Sequence, residues 1–157
     1  MSTEKLTNGQ IARQLVEAFT ARDHVKIMSM YADDFEVLVP FMYPKTMVLK
    51  GKRQAEEILR NHPGSIKSRM YHDIRVKDFK VLQTTDPEWF IMEWTYVSHI
   101  GTDEVENGNV CIVQVRDGKI LRSRDYHNHV TRAIADGHVP ELLETISNMQ
   151  LEQDRRK

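Results

Sequence analysis

The dipeptide Asp117-Gly118, with a β-like run on each side, is the feature that most restricts how this chain can fold. Asp-Gly is preferred in two-residue hairpin turns, because both turn positions need positive φ angles that these residues tolerate. The flanking runs, residues 109–116 and 119–130, are rich in strand-forming residues. The pattern predicts a long antiparallel hairpin near the end of the chain.

Two earlier runs also predict strands. Residues 69–82 alternate between apolar and polar side chains but change phase, which predicts a β-bulge near Lys77-Asp78. Residues 88–100 predict a long strand with apolar or aromatic residues on both faces, so we expect both faces to be covered. With shorter strands at 35–39 and 47–49, these runs predict an antiparallel sheet.

The first third of the chain predicts helices instead. Thr7 and Gln10 have the spacing of a capping box, and apolar residues then recur at helical period. Asp23 can cap a second helix, a third is predicted over 52–61, and Pro140 opens a last amphipathic segment. The pattern predicts an α+β fold, in which three N-terminal helices pack on a long curved antiparallel sheet and a C-terminal helix follows. Such a fold is a half-open cone with a pocket at its mouth.

Length and composition limit the class of protein. The 157 residues contain no repeat and no linker, which predicts a single domain over residues 1–157. A net charge of -1 argues against a nucleic-acid partner. No apolar run approaches the ~18 residues that a membrane span needs. The N-terminus is polar and Cys111 is the single cysteine, so we expect a cytoplasmic protein with no membrane partner.

The last predicted strand carries the main candidates for chemistry. Side chains two residues apart share a face of a strand, so Asp125, His127 and His129 point the same way, with Ser123 and Leu121 before them. A carboxylate beside an imidazole on the wall of an apolar pocket can transfer protons near neutral pH. We predict that Asp125 transfers a proton and that His127 or His129 assists it.

The same residues allow two other interpretations. Asp125 can lie on an exposed face and pair with an arginine of a neighbouring strand, as charged strand residues usually do. Carboxylate and imidazole groups also bind zinc or iron, and Asp125, His127 and His129 would then need a further ligand such as His99 or His72.

Further candidates for contact with a substrate lie on other elements. Tyr31, at the end of the second helix, and Trp94, on the long strand, are aromatic residues of the kind that line apolar pockets. His72 and His99 lie on strands whose phase the sequence leaves open. Glu93 lies mid-strand among apolar residues, where a charge is costly unless it pairs with an arginine or serves the pocket.

Three motifs resemble the nuclear-transport-factor-2-like superfamily: MYADD before a strand, LKGK before a helix, and V-x-D-G-K-I in the closing hairpin. The likeness covers residues 8–138 and implies the cone fold. Ketosteroid isomerase, on the same fold, has an aspartate base with a tyrosine and a protonated aspartate as oxyanion donors. Those positions fall here at Val39, Leu15 and Cys111, so the resemblance excludes that mechanism.

The second half of the chain resembles the polyketide-cyclase-like group, which includes SnoaL-type cyclases and phenazine-biosynthesis A/B proteins. The matching segments are Asp86-Pro87, Glu106-Asn107 and DGKILRSRDYHN. In that group the proposed acid/base residue lies in an Arg-x-Arg-acid-aromatic-x-Asn setting, occupied here by Arg122, Arg124, Asp125, Tyr126 and Asn128. The family acid is typically glutamate, and a histidine of the phenazine proteins falls at Ile58, so we expect a different substrate or step.

The residues and the resemblance together predict an acid/base enzyme that acts on a hydrophobic carbonyl or aromatic intermediate in an apolar pocket. Cyclisation, isomerisation, dehydration and condensation all fit, and the resemblance implies neither a metal nor a cofactor. We expect a homodimer packed through the convex face of the sheet. Two alternatives remain: a non-catalytic small-molecule-binding dimer of the same fold, and an assembly module whose pocket is filled.

Overall fold

A computed structural model describes residues 6–43, 45–61 and 74–156. Helices and strands follow one another in the predicted α+β order. The elements are α1 (Asn8–Thr20), α2 (His24–Met30), β1 (Tyr31–Val39), β2 (Met47–Lys50), α3 (Gly51–Asn61), β3 (Arg75–Gln83), β4 (Trp89–Ile100), β5 (Asp103–Arg116), β6 (Lys119–His127), α4 (His129–Asp136) and α5 (Val139–Arg155). No helix in these ranges is long and apolar enough to cross a bilayer.

The strands form one sheet of six in the order β2-β1-β6-β5-β4-β3. Neighbouring strands are antiparallel except β1 and β6, which pair in parallel. The predicted hairpin is confirmed, because Arg116 pairs with Lys119 across a turn in which Asp117 and Gly118 have φ angles of 51° and 75°. The sheet is therefore mostly, though not entirely, antiparallel.

Both predicted helix caps at the N-terminus are present. The Thr7 hydroxyl accepts a hydrogen bond from the backbone N–H of Gln10 at 3.2 Å, and the Thr7 N–H donates to the Gln10 side chain at 2.8 Å. The Asp23 carboxylate accepts from the backbone N–H of Lys26 at 2.8 Å. These caps satisfy N–H groups that a helix start leaves without partners, and they define where α1 and α2 begin.

Helices α1, α2 and α3 cover the concave face of the sheet, and the core lies between them. Its centre is formed by Phe35, Phe90, Met92, Val113 and Ile120, each at most 1% exposed. Burying side chains of this size stabilises the fold by about 1.5–3 kcal/mol each. Asp78 has a φ of 55°, and the β3–β4 register shifts between Lys77 and Lys80, which confirms the predicted bulge.

The convex face is less covered than predicted. All three N-terminal helices pack on the concave side, so Ile91, Glu93 and Thr95 of β4 remain only half-buried on the other side. Val110 and Ile112 of β5 lie beside them in the same half-buried state. Val97, on the same face, is fully buried, so the expectation that both faces of this strand are covered holds near its end and is wrong in its middle.

The end of the last strand also differs from the prediction. Strand β6 stops at His127 instead of continuing to Val130. The Asn128 side chain accepts a hydrogen bond from the backbone N–H of Thr131 at 3.0 Å and starts α4, which the sequence analysis missed. Tyr31 lies at the end of the second helix as predicted, because it is the C-cap of α2, and it is also the first residue of β1.

Candidate active site

A cavity of about 300 Å³ lies between the helices and the concave face of the sheet. Its walls are mostly apolar and come from α1, α2, β1, β2, α3 and the central strands. The apolar lining comprises Phe19, Ile27, Met28, Tyr31, Phe35, Val37, Val39, Met42, Met47, Leu49, Ala55, Ile58, Trp94, Tyr96 and Cys111. The volume is at the small end of the ~300–1,000 Å³ typical of small-molecule sites.

Polar side chains enter this cavity as two adjacent rows across the sheet. Trp94 of β4 pairs with Asn109 of β5, which pairs with His127 of β6. In the next row Cys111 of β5 pairs with Asp125 of β6. Residues paired across antiparallel strands point to the same face, so the sheet itself gathers these groups on one wall.

Asp125 is held at this wall with its side chain 14% exposed. The Ser123 hydroxyl donates a hydrogen bond to its Oδ1 atom. Its other oxygen, Oδ2, lies 4.0 Å from the Nε2 atom of His127. One carboxylate oxygen is thus engaged by the protein, while the second lies near an imidazole in the cavity.

The tautomer of His127 follows from its neighbours. Asn109 donates its amide N–H to the backbone carbonyl of Asn107 at 2.8 Å, so its carbonyl oxygen faces His127. That oxygen lies 2.7 Å from His127 Nδ1, which must therefore carry the proton. Burial lowers the pKa of His127, and Arg132 lowers it further, while Asp125 opposes them. His127 is therefore a neutral imidazole, and its unprotonated Nε2 is the ring nitrogen on the side of Asp125.

His129 lies beside this pair, although it belongs to α4 and not to the strand. Its ring meets the His127 ring edge to face, with centroids 6.1 Å apart. Burial, followed by His127 and Arg132, lowers the pKa of His129 to about 4. At neutral pH the site therefore contains two uncharged imidazoles.

Two further ionisable groups at the wall stay protonated. Burial raises the pKa of the Tyr31 phenol well above its usual value, and the charge of Asp125 adds to this. The pKa of the Cys111 thiol is also raised, first by burial and then by Asp125. Asp125 therefore faces neutral hydrogen-bond donors, and its own charge is part of the reason.

A metal site is the alternative use of this wall. Among the described residues, Cys111, Asp125 and His127 offer ligand atoms that all lie within 4.8 Å of one another. Cys111, and not His129, completes this cluster. Burial and the adjacent carboxylate raise the pKa of the Cys111 thiol, so without a metal ion this group stays protonated.

The other predicted contacts fall in different places. Tyr31 and Trp94 line the cavity, as do Asp125, His127 and His129. Glu93 does not, because its neighbours Met92 and Trp94 point inward and leave it on the convex face. His99 is exposed near the end of β4 and also lies outside the cavity lining. His72 lies outside the described residues.

Three residues at the site were missed by the sequence analysis. Asn109 fixes the His127 ring, Ser123 binds Asp125, and Arg132 of α4 contributes a positive charge. Ser123 was placed on the correct face without a role. Asn109 was hidden by a second bulge, where the β5–β6 register shifts between Gln114 and Val115. In an unbulged hairpin Asn109 would pair with Tyr126 and lie on the opposite face of the sheet from His127.

The three positions at which the resemblance places the catalytic residues of ketosteroid isomerase do not all lie at the cavity. Val39 and Cys111 line the cavity, whereas Leu15 belongs to the core. Leu38 pairs with Arg124, so Val39 and Asp125 point into the cavity from adjacent strands. The phenazine-like position Ile58 also lines the cavity.

Comparison with protein families gives one match, to the SnoaL-like domain, over residues 12–123. The matched segment ends two residues before Asp125, so the match does not include the acidic residue or the histidines that follow it. No curated protein matches the sequence.

Solved structures with the same fold are numerous and distant in sequence. A proposed isomerase from Bacillus subtilis is 18% identical, with a TM-score of 0.63 over 85% of this chain and 97% of that chain. A proposed polyketide cyclase from Pseudomonas putida is 16% identical, with a TM-score of 0.61 over 83% and 98% of the two chains. A phenazine biosynthesis-related protein from Pseudomonas aeruginosa is 21% identical, with a TM-score of 0.55 over 82% of each chain. These likenesses establish the fold.

Proposed function

The chain belongs to the SnoaL-like domain family, and we propose that it is an acid/base enzyme acting on a hydrophobic carbonyl compound. One observation supports this most directly. Asp125 presents a carboxylate oxygen to an apolar cavity, with a neutral imidazole 4.0 Å away and a serine holding its other oxygen. Partly desolvated carboxylates beside an imidazole are suited to general acid/base catalysis.

The proposed reaction begins with proton removal from a carbon next to the substrate carbonyl. The Asp125 carboxylate takes the proton, the electron pair of the C–H bond forms a C=C bond, and the carbonyl π pair moves to oxygen. The same proton can then be delivered to another atom of the intermediate, and His127 Nε2, 4.0 Å from the carboxylate, is an alternative proton acceptor. Isomerisation, cyclisation, dehydration and condensation can each proceed from such an enolate, and none requires a cofactor.

The surroundings of Asp125 support this role. Apolar walls exclude water, which strengthens electrostatic interactions in the cavity. Ser123 and Asn109 restrict the carboxylate and the imidazole to single orientations. Two structural neighbours with the same fold are described as a proposed isomerase and a proposed polyketide cyclase, which are activities of this kind.

The test is exchange of carbon-bound protons in D2O. Cyclic ketones such as 1-tetralone, together with larger aromatic ketones, are incubated with the wild type and Asp125→Asn, and deuterium uptake beside the carbonyl is followed by NMR and mass spectrometry. Asn keeps the shape of the side chain and cannot take the proton. We expect exchange in the wild type and loss of at least about 10²-fold in Asp125→Asn, the usual scale of general-base catalysis.

Asp103→Asn is the matched control, since Asp103 is an exposed aspartate at the start of β5. It should exchange protons at the wild-type rate. Exchange that survives Asp125→Asn would show that another group is the base. Ketones that bind to the wild type in native mass spectra without any exchange would favour a binding protein of the same fold.

A further inference from the structure

Trp94 carries a buried hydrogen-bond donor that no residue described by the structure satisfies. The residue is 3% exposed and lines the cavity, and its indole Nε1 is shielded from solvent. Among the described residues this N–H has no hydrogen-bond partner. An indole N–H can only donate, and a buried donor without an acceptor is costly. The position therefore calls for an acceptor that the ligand supplies.

His129 presents a second unsatisfied atom to the same cavity. The side chain is 92% buried, since its exposed fraction is 8%, and its Nε2 lacks a partner in the part of the chain described. Because the pKa of His129 is lowered to about 4, the ring is neutral, and one of its nitrogens carries a proton. The His127 ring lies near both, with its centroid 6.5 Å from that of Trp94 and 6.1 Å from that of His129.

Resting on the function proposed above, we propose that the Trp94 N–H binds the substrate carbonyl oxygen. The reaction puts negative charge on that oxygen when Asp125 takes the neighbouring proton, so the N–H bond strengthens in the transition state. Trp94 is then a catalytic residue that touches the reacting group.

The register of the sheet separates Trp94 and Asp125 along one wall of the cavity. Trp94 and Asp125 belong to strands separated by β5, roughly 10 Å apart at the strand spacing of ~4.8 Å, and to adjacent rows of the sheet. A carbonyl oxygen at Trp94 leaves space for its neighbouring C–H bond to face Asp125.

The binding test compares 1-tetralone with 1-methylenetetralin, in which a CH2 group replaces the carbonyl oxygen and the shape is kept. We expect the wild type to bind the ketone about tenfold more tightly, the scale of one well-made buried hydrogen bond. Trp94→Phe removes the N–H and keeps an aromatic ring, so it should lose this preference. Trp89→Phe is the matched control, because Trp89 does not line the cavity.

A spectroscopic test reports on the N–H itself. The protein has two tryptophans, so Trp89→Phe leaves one indole signal in ¹H–¹⁵N spectra, that of Trp94. This signal should move downfield when 1-tetralone binds and stay in place with 1-methylenetetralin. Proton exchange by Trp94→Phe should fall by about 10²-fold, mainly in kcat, as for loss of one oxyanion donor.

The two proposals fail separately. Asp125→Asn should lose proton exchange and keep the preference for the ketone. If the wild type binds the ketone no better than the methylene compound, if Trp94→Phe keeps the preference, or if the indole signal does not move, the assignment of Trp94 is overturned. If proton exchange survives Asp125→Asn while these binding results hold, the base is reassigned and Trp94 remains the oxygen site.

Discussion

The buried histidine His129 should make the protein lose stability as the pH falls, by an amount that can be worked out. The pKa of its imidazole is about 4 in the folded protein, against ~6.5 in an unfolded chain. Because the folded pKa is the lower one, the unfolded chain binds more protons between these values. Acid therefore favours unfolding, and the loss begins as the pH drops through ~6.5 and is complete below about 4.

The size of the effect follows from the two pKa values. Between pH 7 and pH 5, linkage gives a loss of about 2 kcal/mol from His129 alone. The full loss, reached below both values, is about 3 kcal/mol, at 1.36 kcal/mol per pKa unit. His127 and the carboxylates add their own pH dependence, so the contribution of His129 has to be isolated by a variant.

The assay is urea unfolding at pH 7, 6 and 5 for the wild type and His129→Gln. Glutamine is polar and does not titrate, so it should reduce the loss of unfolding free energy between pH 7 and 5 by about 2 kcal/mol, or about 1 M in the urea midpoint. His99→Gln replaces an exposed histidine and should follow the wild type. A difference between His129→Gln and wild type below about 0.5 kcal/mol would refute a buried neutral His129.

Three further changes test separate features. Asn109→Leu should remove the acceptor for the N–H at His127 Nδ1, so the His127 ring should change from the Nδ1-protonated tautomer to a mixture of tautomers, as measured by ¹⁵N NMR. Asn148→Leu, at an exposed position, should leave the tautomer of His127 unchanged. Gly51→Ala should cost about 1–2 kcal/mol in urea unfolding, because φ is 70° and the new Cβ would lie 3.1 Å from the Asp33 carbonyl; an unchanged midpoint would contradict this strain. We propose that the convex face forms a homodimer, so Ile112→Lys at its centre should give a monomer by light scattering, and a dimer that persists would place the interface elsewhere.

Local sequence rules predicted most of the fold because they depend on neighbouring residues. The capping box at Thr7, the turn at Asp117-Gly118 and the bulge at Asp78 each involve a few adjacent positions, and each is present. The shared face of Asp125 and His127 was also predictable, since alternation along a strand needs no knowledge of the partner strand.

The features that the sequence analysis missed depend on contacts between distant segments. The register shift in β6 lies where Gln114 pairs with Arg122 and Val115 with Ile120, so Leu121 is the extra residue and leaves the cavity-facing set. This shift brings Asn109 opposite His127, which no local pattern reveals. Asn128 could have been recognised as a helix cap, but the alternating residues before it made the strand interpretation stronger.

The position of the proposed base shows how one scaffold can support different chemistry. The resemblance to ketosteroid isomerase would place an aspartate at Val39. Val39 on β1 and Asp125 on β6 point into the same cavity. These strands are parallel neighbours, about 4.8 Å apart, so a carboxylate on either one reaches nearly the same part of a bound substrate. A base on β6 also has an oriented histidine beside it. Strand β5 pairs with β6 and supplies Asn109, which orients the His127 imidazole next to the Asp125 carboxylate. In the proposed mechanism, a base on β6 therefore has the same access to the substrate as one on β1, and it has a neutral imidazole 4.0 Å away as a second proton acceptor.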